Sequence, residues 1–331
     1  MVNKRIVAII LVLIFGFSMT ISIPIIILSA GFSPLVTIVE TIRFEDTKYN
    51  SSAVEELNLI ADVGNIKIQY ITLPVEYCAM IEVNFDMVGY NLFGRTSSYY
   101  FNFPENKSFN NLFNLELQSD TDWFDTSKWI KQNVSIVVSI NSNILFNINT
   151  TIREEGDVNI YVSGGTIINN IDVNIKTGDI VYDLIFCSMR GNIIGNVDSG
   201  DITLKANNVK YTQNNIWNLT NNKGKIALDI IQTRLMGANL TGTGESNSGK
   251  IILKYRDYSS DIGAIFKFYN SSEVDWHTLD NVWRDFNGPI PLGHNGAIFK
   301  SYDFPNNFNY DFSFFIAYSN PKKYKINLTS V

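Results

Sequence analysis

The clearest pattern in this chain is an alternation of apolar and polar residues that restarts after each of five glycines, Gly156, Gly178, Gly200, Gly224 and Gly249. The second, fourth and sixth residues after each glycine are apolar or aromatic without exception: Val158, Ile160, Val162; Ile180, Tyr182, Leu184; Ile202, Leu204, Ala206; Ile226, Leu228, Ile230; and Ile251, Leu253, Tyr255. Alternate side chains of a strand point to opposite faces. The pattern therefore predicts strands with one face in a core and the other partly solvated.

The glycines recur at intervals of 22, 22, 24 and 25 residues. A period of this length is typical of a single-stranded β-solenoid, in which each coil buries its apolar face against its neighbours. A second strand per coil is expected before each glycine, as in the alternating run 171–175. In the last coil Gly242 and Gly244 occupy the corresponding inward positions, and the sequence predicts a loop over 237–249. The alternative to coils is a series of hairpin turns in an antiparallel sheet.

The same template occurs once near the front of the chain, around Gly64. We therefore expect an all-β fold with a β-rich N-terminal region over 35–149, which contains one solenoid-like unit at 57–70, and with the β-solenoid repeats over 150–255. The segment 256–331 lacks the glycine period and is rich in aromatic residues. Since the last coil of a solenoid exposes unpaired strand edges, this segment is expected to be a C-terminal cap.

The N-terminus predicts a membrane anchor. No charged residue occurs from Ile6 to Val39, and 6–30 is almost wholly apolar. As a helix, 6–30 is long enough to cross a hydrocarbon layer of about 30 Å. Residues 1–5, with Lys4 and Arg5, then form a cytoplasmic tail, and the positive-inside rule places the C-terminal domain outside the cell. A cleavable secretory signal is the alternative, although its apolar stretch is usually only about 7 to 15 residues long.

Composition narrows the partners. The net charge is −6 and no basic patch is evident in the sequence, which argues against a nucleic-acid partner. Asn is unusually frequent, and two explanations stay open. Asn suits tight turns and stacked side-chain ladders, but the codon bias of an AT-rich genome would have the same effect.

One row of acidic residues is a candidate metal site. Asp157, Asp179 and Asp201 directly follow repeat glycines, so stacking would place them about 4.8 Å apart, and their carboxylate oxygens suit Ca²⁺. Lys225 and Lys250 continue the same row, which favours a merely solvated row of polar side chains.

Other chemistry is sparse in the sequence. A second outward row alternates in sign through Asp183, Lys205, Asp229 and Lys254, as expected of a charge-compensated ladder. The two histidines, His277 and His294, lie in the irregular C-terminal region, and nucleophile, phosphate-loop and dinucleotide motifs are missing. The sequence predicts no catalytic residue and no cofactor.

The two cysteines, Cys78 and Cys187, lie on opposite sides of the midpoint of the chain. In an exported protein they could form a disulfide, but free cysteine is also a common core residue. The sequence leaves this question open.

Several repeat segments resemble the putative-adhesin β-solenoid family of bacterial and archaeal surface proteins. These are Asp62-Val63-Gly64-Asn65-Ile66-Lys67-Ile68, Thr177-Gly178-Asp179-Ile180, Asp198-Ser199-Gly200-Asp201-Ile202-Thr203-Leu204 and Ser248-Gly249-Lys250-Ile251-Ile252-Leu253. The resemblance covers about 57–70 and 150–255 and implies a β-solenoid, often on a membrane anchor, with a supposed adhesive role. It brings no catalytic residues.

Together these observations favour a membrane-anchored extracytoplasmic β-solenoid that acts as an adhesion or surface-interaction module. Its partners are expected to be the membrane and a surface glycan or protein. Two alternatives remain, a carbohydrate-active β-helix enzyme and an envelope sensor or scaffold. Oligomeric state and the handedness of the coil do not follow from the sequence.

Overall fold

The structure is a computed structural model, and it describes residues 35–46, 54–74, 76–90, 108–109, 112–117, 129–232, 237–249, 251–257, 264–270, 300–302, 310–316 and 324–330. Throughout these residues the regular structure is β. The predicted transmembrane helix at 6–30 lies outside the described residues. Within them, no helix is long and apolar enough to cross a membrane.

The N-terminal half of the chain forms strands with the following bounds: β1 Leu35–Asp46, β2 Glu55–Val63, β3 Asn65–Ile71, β4 Ala79–Tyr90, β5 Ser108–Phe109, β6 Leu112–Leu117, β7 Trp129–Asn141, β8 Phe146–Glu155, β9 Val158–Ser163 and β10 Ile167–Ile168. The middle of the chain follows with β11 Ile171–Thr177, β12 Ile180–Ile185, β13 Ser188–Met189, β14 Ile193–Ser199, β15 Ile202–Asn207, β16 Lys210–Tyr211, β17 Asn215–Asn221 and β18 Ile226–Gln232. The last strands are β19 Leu240–Ser246, β20 Ile251–Asp257, β21 Ala264–Asn270, β22 Lys300–Tyr302, β23 Tyr310–Ile316 and β24 Tyr324–Ser330.

These strands pair into two long sheets and one short one. Sheet A has the order β22-β23-β20-β18-β15-β12-β9-β3-β7-β4-β1-β5, sheet B the order β21-β24-β19-β17-β14-β11-β8-β2-β6, and sheet C the order β10-β13-β16. One coil gives one strand to each sheet, as β11, β12 and β13 do. Successive coils pair in parallel, for example β12 with β15 and β11 with β14. The chain is therefore a β-solenoid, with about four turns in its regular part, and the antiparallel-hairpin alternative is wrong.

The predicted division into inward and outward residues is confirmed. All fifteen apolar positions that follow the repeat glycines are buried, each with at most 2% of its surface exposed. Sheet B supplies the opposite wall of the core, and side chains from the two walls interlock. The Tyr182 hydroxyl donates a hydrogen bond of 2.9 Å to the Ile194 carbonyl. A Cβ added at neighbouring Gly195 would lie only 2.8 Å from that hydroxyl, so this glycine leaves the space that the tyrosine occupies.

The repeat glycines form the corner between sheets B and A. The φ angles of Gly156, Gly178, Gly200 and Gly224 are positive, for example +132° at Gly178 and +145° at Gly200, a region that other residues rarely adopt. They also stack in close contact, because a Cβ added at Gly178 would overlap the carbonyl oxygen of Gly156. The backbone N–H groups of Gly156, Gly178, Gly200 and Gly224 each donate to a carbonyl of the next coil, as Gly178 does to the Ser199 carbonyl at 2.9 Å. The corner therefore requires glycine for two independent reasons.

The unit expected at 57–70 belongs to the same stack. β2 pairs in parallel with β8, and β3 with β9. On their other side β2 pairs with β6 and β3 with β7, so the first coil in sequence is not the first in space. β4 then extends sheet A by pairing antiparallel with β7, and β1 pairs antiparallel with β4. The segment between β3 and β8 thus supplies strands that continue the stack beyond the first coil.

The loop predicted over 237–249 is wrong for its central part, where β19 forms a strand. β19 pairs with β17 in register along its whole length, with Gly242 beside Trp217 and Gly244 beside Leu219. Trp217 is 1% exposed and is the largest of the fully buried side chains. We attribute the strand to this stacking, because the hydrogen bonds of a complete parallel register outweigh the flexibility of two glycines that lie beside bulky neighbours.

Beyond the regular coils, β23 pairs with β20 and β24 with β19, both in parallel. β21 pairs with the far side of β24, and β22 runs antiparallel to β23. These described parts of 256–331 continue both sheets past the last glycine coil. The role of the whole segment as a cap stays a prediction.

The core assignment predicts a large difference between two adjacent residues of β15. Leu204 is fully buried and stacks in register between Tyr182 and Leu228. Leu204→Ala should lower the free energy of unfolding by about 2 to 5 kcal/mol because it leaves a cavity. Thr203→Ala, on the outer face, should change it by less than about 0.5 kcal/mol. Urea unfolding of both variants measures the difference, and equal losses would contradict the assignment.

The glycine corner predicts a second difference. Gly178→Ala should lower the free energy of unfolding by about 3 kcal/mol or more, because it adds a steric overlap to the strain of a positive φ. Gly164 is the matched control, since its φ is +73° but an added Cβ would meet nothing within 4 Å. Gly164→Ala should cost only about 1 to 2 kcal/mol. Similar losses in the two variants would show that stacking does not constrain the corner.

Candidate functional site

The acidic row Asp157, Asp179 and Asp201 lies at the glycine corner and is stacked as the sequence predicts. The carboxylate of each residue accepts a hydrogen bond from the backbone N–H at the same position of the next coil. The Asp179 amide donates to Asp157 Oδ1 at 2.9 Å, the Asp201 amide to Asp179 Oδ1 at 2.7 Å, and the Lys225 amide to Asp201 Oδ1 at 2.9 Å. Asn65 begins this ladder by accepting from the Asp157 amide at 3.0 Å. The row therefore ties successive coils together.

An ion pair ends the acidic part of the ladder. Lys225 Nζ lies 2.6 Å from Asp201 Oδ2. Partial burial acts to raise the pKa of the Asp201 carboxyl, but hydrogen bonds from the side chain and backbone of Lys225, together with its charge, outweigh burial and lower the pKa. The same hydrogen bond and charge raise the pKa of Lys225. Both oxygens of Asp201 are thus engaged within the protein.

The calcium hypothesis for this row stays a prediction. One oxygen of each of the three carboxylates already accepts a backbone N–H, and Asp201 uses its second oxygen for Lys225. In the part of the chain that the structure describes, no group of three or more His, Cys, Asp or Glu side chains is placed to hold a metal ion. The hydrogen bonds of the three carboxylates stabilise the stacking of the coils directly, and this role does not depend on a bound ion.

A polar cleft of about 460 Å³ lies at the first coils of this corner. β7 forms one wall, because only its residues from Ser135 onward pair with β3 while the preceding ones continue beyond the corner. Asn133 and Val134 line the cleft together with Asn65, Glu155 and Asp157. The stacked glycines Gly64, Gly156 and Gly178 also line it.

The outer face of sheet A carries the predicted charge ladder. Strand registers place Asp183 beside Lys205, Lys205 beside Asp229, and Asp229 beside Lys254. Opposite charges directly across neighbouring strands are favourable. The sequence prediction of an alternating row is confirmed at the level of register.

The outer face of sheet B is chemically different, and two of its rows form what we call the amide face. The first row is Asn149, Asp172, Ile194, Asn218 and Thr243. The second row is Thr151, Asn174, Asn196, Thr220 and Glu245. Four Asn and three Thr account for seven of the ten positions, and neither Lys nor Arg occurs among them.

Sheet A provides an internal comparison for this composition. Its two equivalent outward rows are Asn159, Val181, Thr203, Ala227, Ile252 and Tyr161, Asp183, Lys205, Asp229, Lys254. Only two of these ten residues are Asn or Thr. Codon bias acts on both faces of one chain alike, so it does not explain the difference. The concentration of Asn on sheet B therefore has a structural or functional cause.

Hydrogen bonds fix several side chains of the amide face. The side-chain Nδ2 of Asn196 donates to Asn174 Oδ1 at 2.7 Å, and the side-chain Nδ2 of Asn174 donates to Asp172 Oδ1 at 2.9 Å. The Thr243 hydroxyl donates to Asn218 Oδ1 at 2.8 Å. Chains of this kind polarise their members and hold them in one orientation. The face therefore presents fixed amide and hydroxyl groups.

A second group of asparagines explains part of the Asn content by stacking alone. At the corner that leads into sheet B, Asn170 Oδ1 accepts a hydrogen bond from the backbone N–H of Asn192 at 2.9 Å. Asn192 Oδ1 in turn accepts from the backbone N–H of Ile216 at 2.8 Å. Asn214 Oδ1 accepts from the Asn239 amide at 3.2 Å. These residues repeat the geometry of the aspartate ladder at the opposite end of the sheet B strands.

The cysteines contribute no reactive site. Cys78 and Cys187 are both buried thiols in the described structure and are not joined by a disulfide. Burial raises the pKa of the Cys187 thiol to about 12, so the thiolate is scarcely populated at neutral pH. His277 and His294 lie outside the described residues.

Sequence reasoning missed the amide face, although a signal for it was present. Its residues stand six and four positions before the repeat glycines, as Asp172 and Asn174 do before Gly178. In these strands the apolar repeat marks only the inward positions, so the sequence pattern makes no prediction for the outward ones. In β8 a register shift moves the equivalent residues by one position, which hides the row further.

Comparison with known proteins adds little. No known protein family matches the sequence, and no curated protein is similar to it in sequence. Among solved structures, the chain is similar to one described as a putative cell adhesion protein from Clostridium sporogenes, with 11% identity, 88% of this chain and 95% of that chain covered, and a TM-score of 0.33. A TM-score this low carries no weight for fold or function. The β-solenoid expected from the family resemblance rests on the strand pairing described above.

The ion pair at the end of the ladder gives a testable shift. Lys225→Met removes the side-chain hydrogen bond and the charge that lower the pKa of Asp201, so this pKa should rise toward or above its ordinary value of 3.8. A carboxyl whose pKa is lower in the folded protein than in the unfolded chain stabilises the folded state at pH values above the unfolded pKa. That stabilisation disappears as the pH falls through the folded pKa. Titration of the Asp201 carboxyl carbon by NMR measures the shift. Lys223→Met is the control and should leave the pKa of Asp201 unchanged, whereas an unchanged value in Lys225→Met would rule out the pairing.

Proposed function

We propose that this chain is a membrane-anchored extracytoplasmic module that binds a component of a cell surface through the outer faces of its solenoid. The observation that carries the proposal is the amide face, in which seven of ten outward positions on five successive strands of sheet B carry an Asn amide or a Thr hydroxyl. Stacked coils provide a broad and rigid surface of this kind, which is how many solenoid proteins bind their partners.

The predicted anchor and the strand order are compatible with display of the regular coils outside the cell. β1 begins at Leu35, directly after the apolar N-terminal segment, and it lies near one end of sheet A. The regular coils follow on the other side of β4, β7 and β3. An anchor at 6–30 would then attach to one end of the stack. Coils displayed in this way would leave the amide face free along its length.

Anchoring and orientation are tested together. Cells that express the full chain with a C-terminal tag should lose the tag when protease is added outside, and the tagged protein should stay in the membrane fraction after carbonate extraction. The expectation follows from Lys4 and Arg5 before an uncharged segment. A tag protected from protease would contradict the orientation, and a soluble product beginning near Gly31 would contradict the anchor.

Binding is tested on the full chain in a mild detergent. The folded chain should retain isolated cell-envelope material on a resin, and chain unfolded by heating should not. The same fractions should show no release of reducing ends from envelope polysaccharide, since an interaction module binds without turnover. Failure of the folded chain to retain any envelope component would overturn the proposal. Release of reducing ends would favour the enzyme alternative.

A further inference from the structure

The amide face has a chemistry that selects among surface components. Within the regular coils each of its rows covers five strands, β8, β11, β14, β17 and β19, and this part extends over four strand spacings, about 19 Å in all. The two rows are two residues apart along each strand, about 7 Å. Asn and Thr side chains offer both donors and acceptors of hydrogen bonds without charge. A partner with closely spaced, uncharged hydroxyl groups matches this surface.

Charge narrows the class further. Asp172 and Glu245 are the ionisable residues of the face, and the whole chain carries a net charge of −6. An anionic polymer would meet carboxylates without any Lys or Arg in these rows to offset them. An apolar partner would leave the amides and hydroxyls without hydrogen bonds, which costs about 1 to 3 kcal/mol for each buried group. The complementary partner is therefore neutral and polar.

We propose that the amide face binds a neutral polysaccharide laid along the stacked strands, a partner assignment that rests on the proposed surface-interaction function. Because a hydrogen bond to sugar replaces one to water, each contact contributes only about 0.5 to 1.5 kcal/mol. Useful affinity then requires many contacts made at once. The internal bonds of Asn196, Asn174 and Thr243 already hold donors and acceptors in place, which reduces the entropy lost on binding.

This mode of binding has two signatures. Affinity should increase with the length of the polysaccharide, because a longer chain contacts more coils and single sugars make too few bonds. Affinity should also be nearly insensitive to salt, because uncharged groups make the contacts, whereas binding through ion pairs weakens as salt screens them. The charge ladder on sheet A would give the opposite response to salt.

The test uses the full chain in detergent, with mannan and dextran as neutral probes and polygalacturonate as the acidic probe. The face variant Asn149→Ala with Asn218→Ala changes two exposed side chains. This variant should bind mannan or dextran, whichever the unchanged chain binds, at least tenfold more weakly than the unchanged chain does. The control variant, Asn159→Ala with Thr203→Ala, changes the same number of side chains on sheet A and should bind as the unchanged chain does. Thermal unfolding of both variants shows that each remains folded.

A second face variant, Thr220→Arg, covers the case in which the remaining amides of the face still bind the probe after Asn149 and Asn218 are changed. It places a long cation in the middle of the surface, and it should also block the neutral probe. Binding that grows with probe length, persists from 50 to 500 mM salt and disappears in both face variants supports the proposal.

The remaining outcomes each overturn it. Neutral binding that survives in both face variants would place the site elsewhere on the protein. Binding of polygalacturonate alone would show that charge, not the amide face, selects the partner. Retention of envelope protein with no affinity for either neutral probe would exclude a polysaccharide while leaving the surface-interaction function intact.

Discussion

The stacking of glycine on glycine at one corner is the constraint on which the rest of the structure depends. At Gly156, Gly178, Gly200, Gly224 and Gly249, an added side chain would overlap the carbonyl of the glycine before it in the stack. The backbones therefore approach each other closely enough for each coil to bond to the next. This contact recurs once per turn, and it fixes both the spacing of the coils and the register of the strands on either side.

Fixed register converts sequence repeats into ladders. Because Asp157, Asp179 and Asp201 stand at one position in successive coils, each carboxylate lies beside the backbone amide of the next coil and accepts its hydrogen bond. The asparagines at the opposite corner do the same. Polar residues that look solvated in the sequence thus serve as links along the axis. This role uses oxygens that a cation would otherwise need.

Register also gives the two outer faces their separate characters. A shift of one residue would exchange inward and outward side chains throughout a strand. With the register held at the corner, sheet A keeps its alternating charges and sheet B keeps the amide face, in which Asn and Thr predominate beside two carboxylates. The core beneath them is apolar and closely packed, and so the outer rows form on a rigid base. A surface-binding role would require this combination of a fixed scaffold and a patterned face.

The sequence by itself determined the coil period, the corner glycines and the inward residues after them, because glycine conformation and strand alternation are local properties that repeat. It could not show that β2 stacks between β6 and β8 and β3 between β7 and β9, or that the glycine-rich segment around Gly242 forms a strand. Both depend on partners distant in the chain: pairing with β8 and β6 in one case, and the bulk of Trp217 in the other. The amide face is likewise a tertiary feature, since its rows exist only after parallel pairing brings Asn149, Asn218 and their neighbours to one surface.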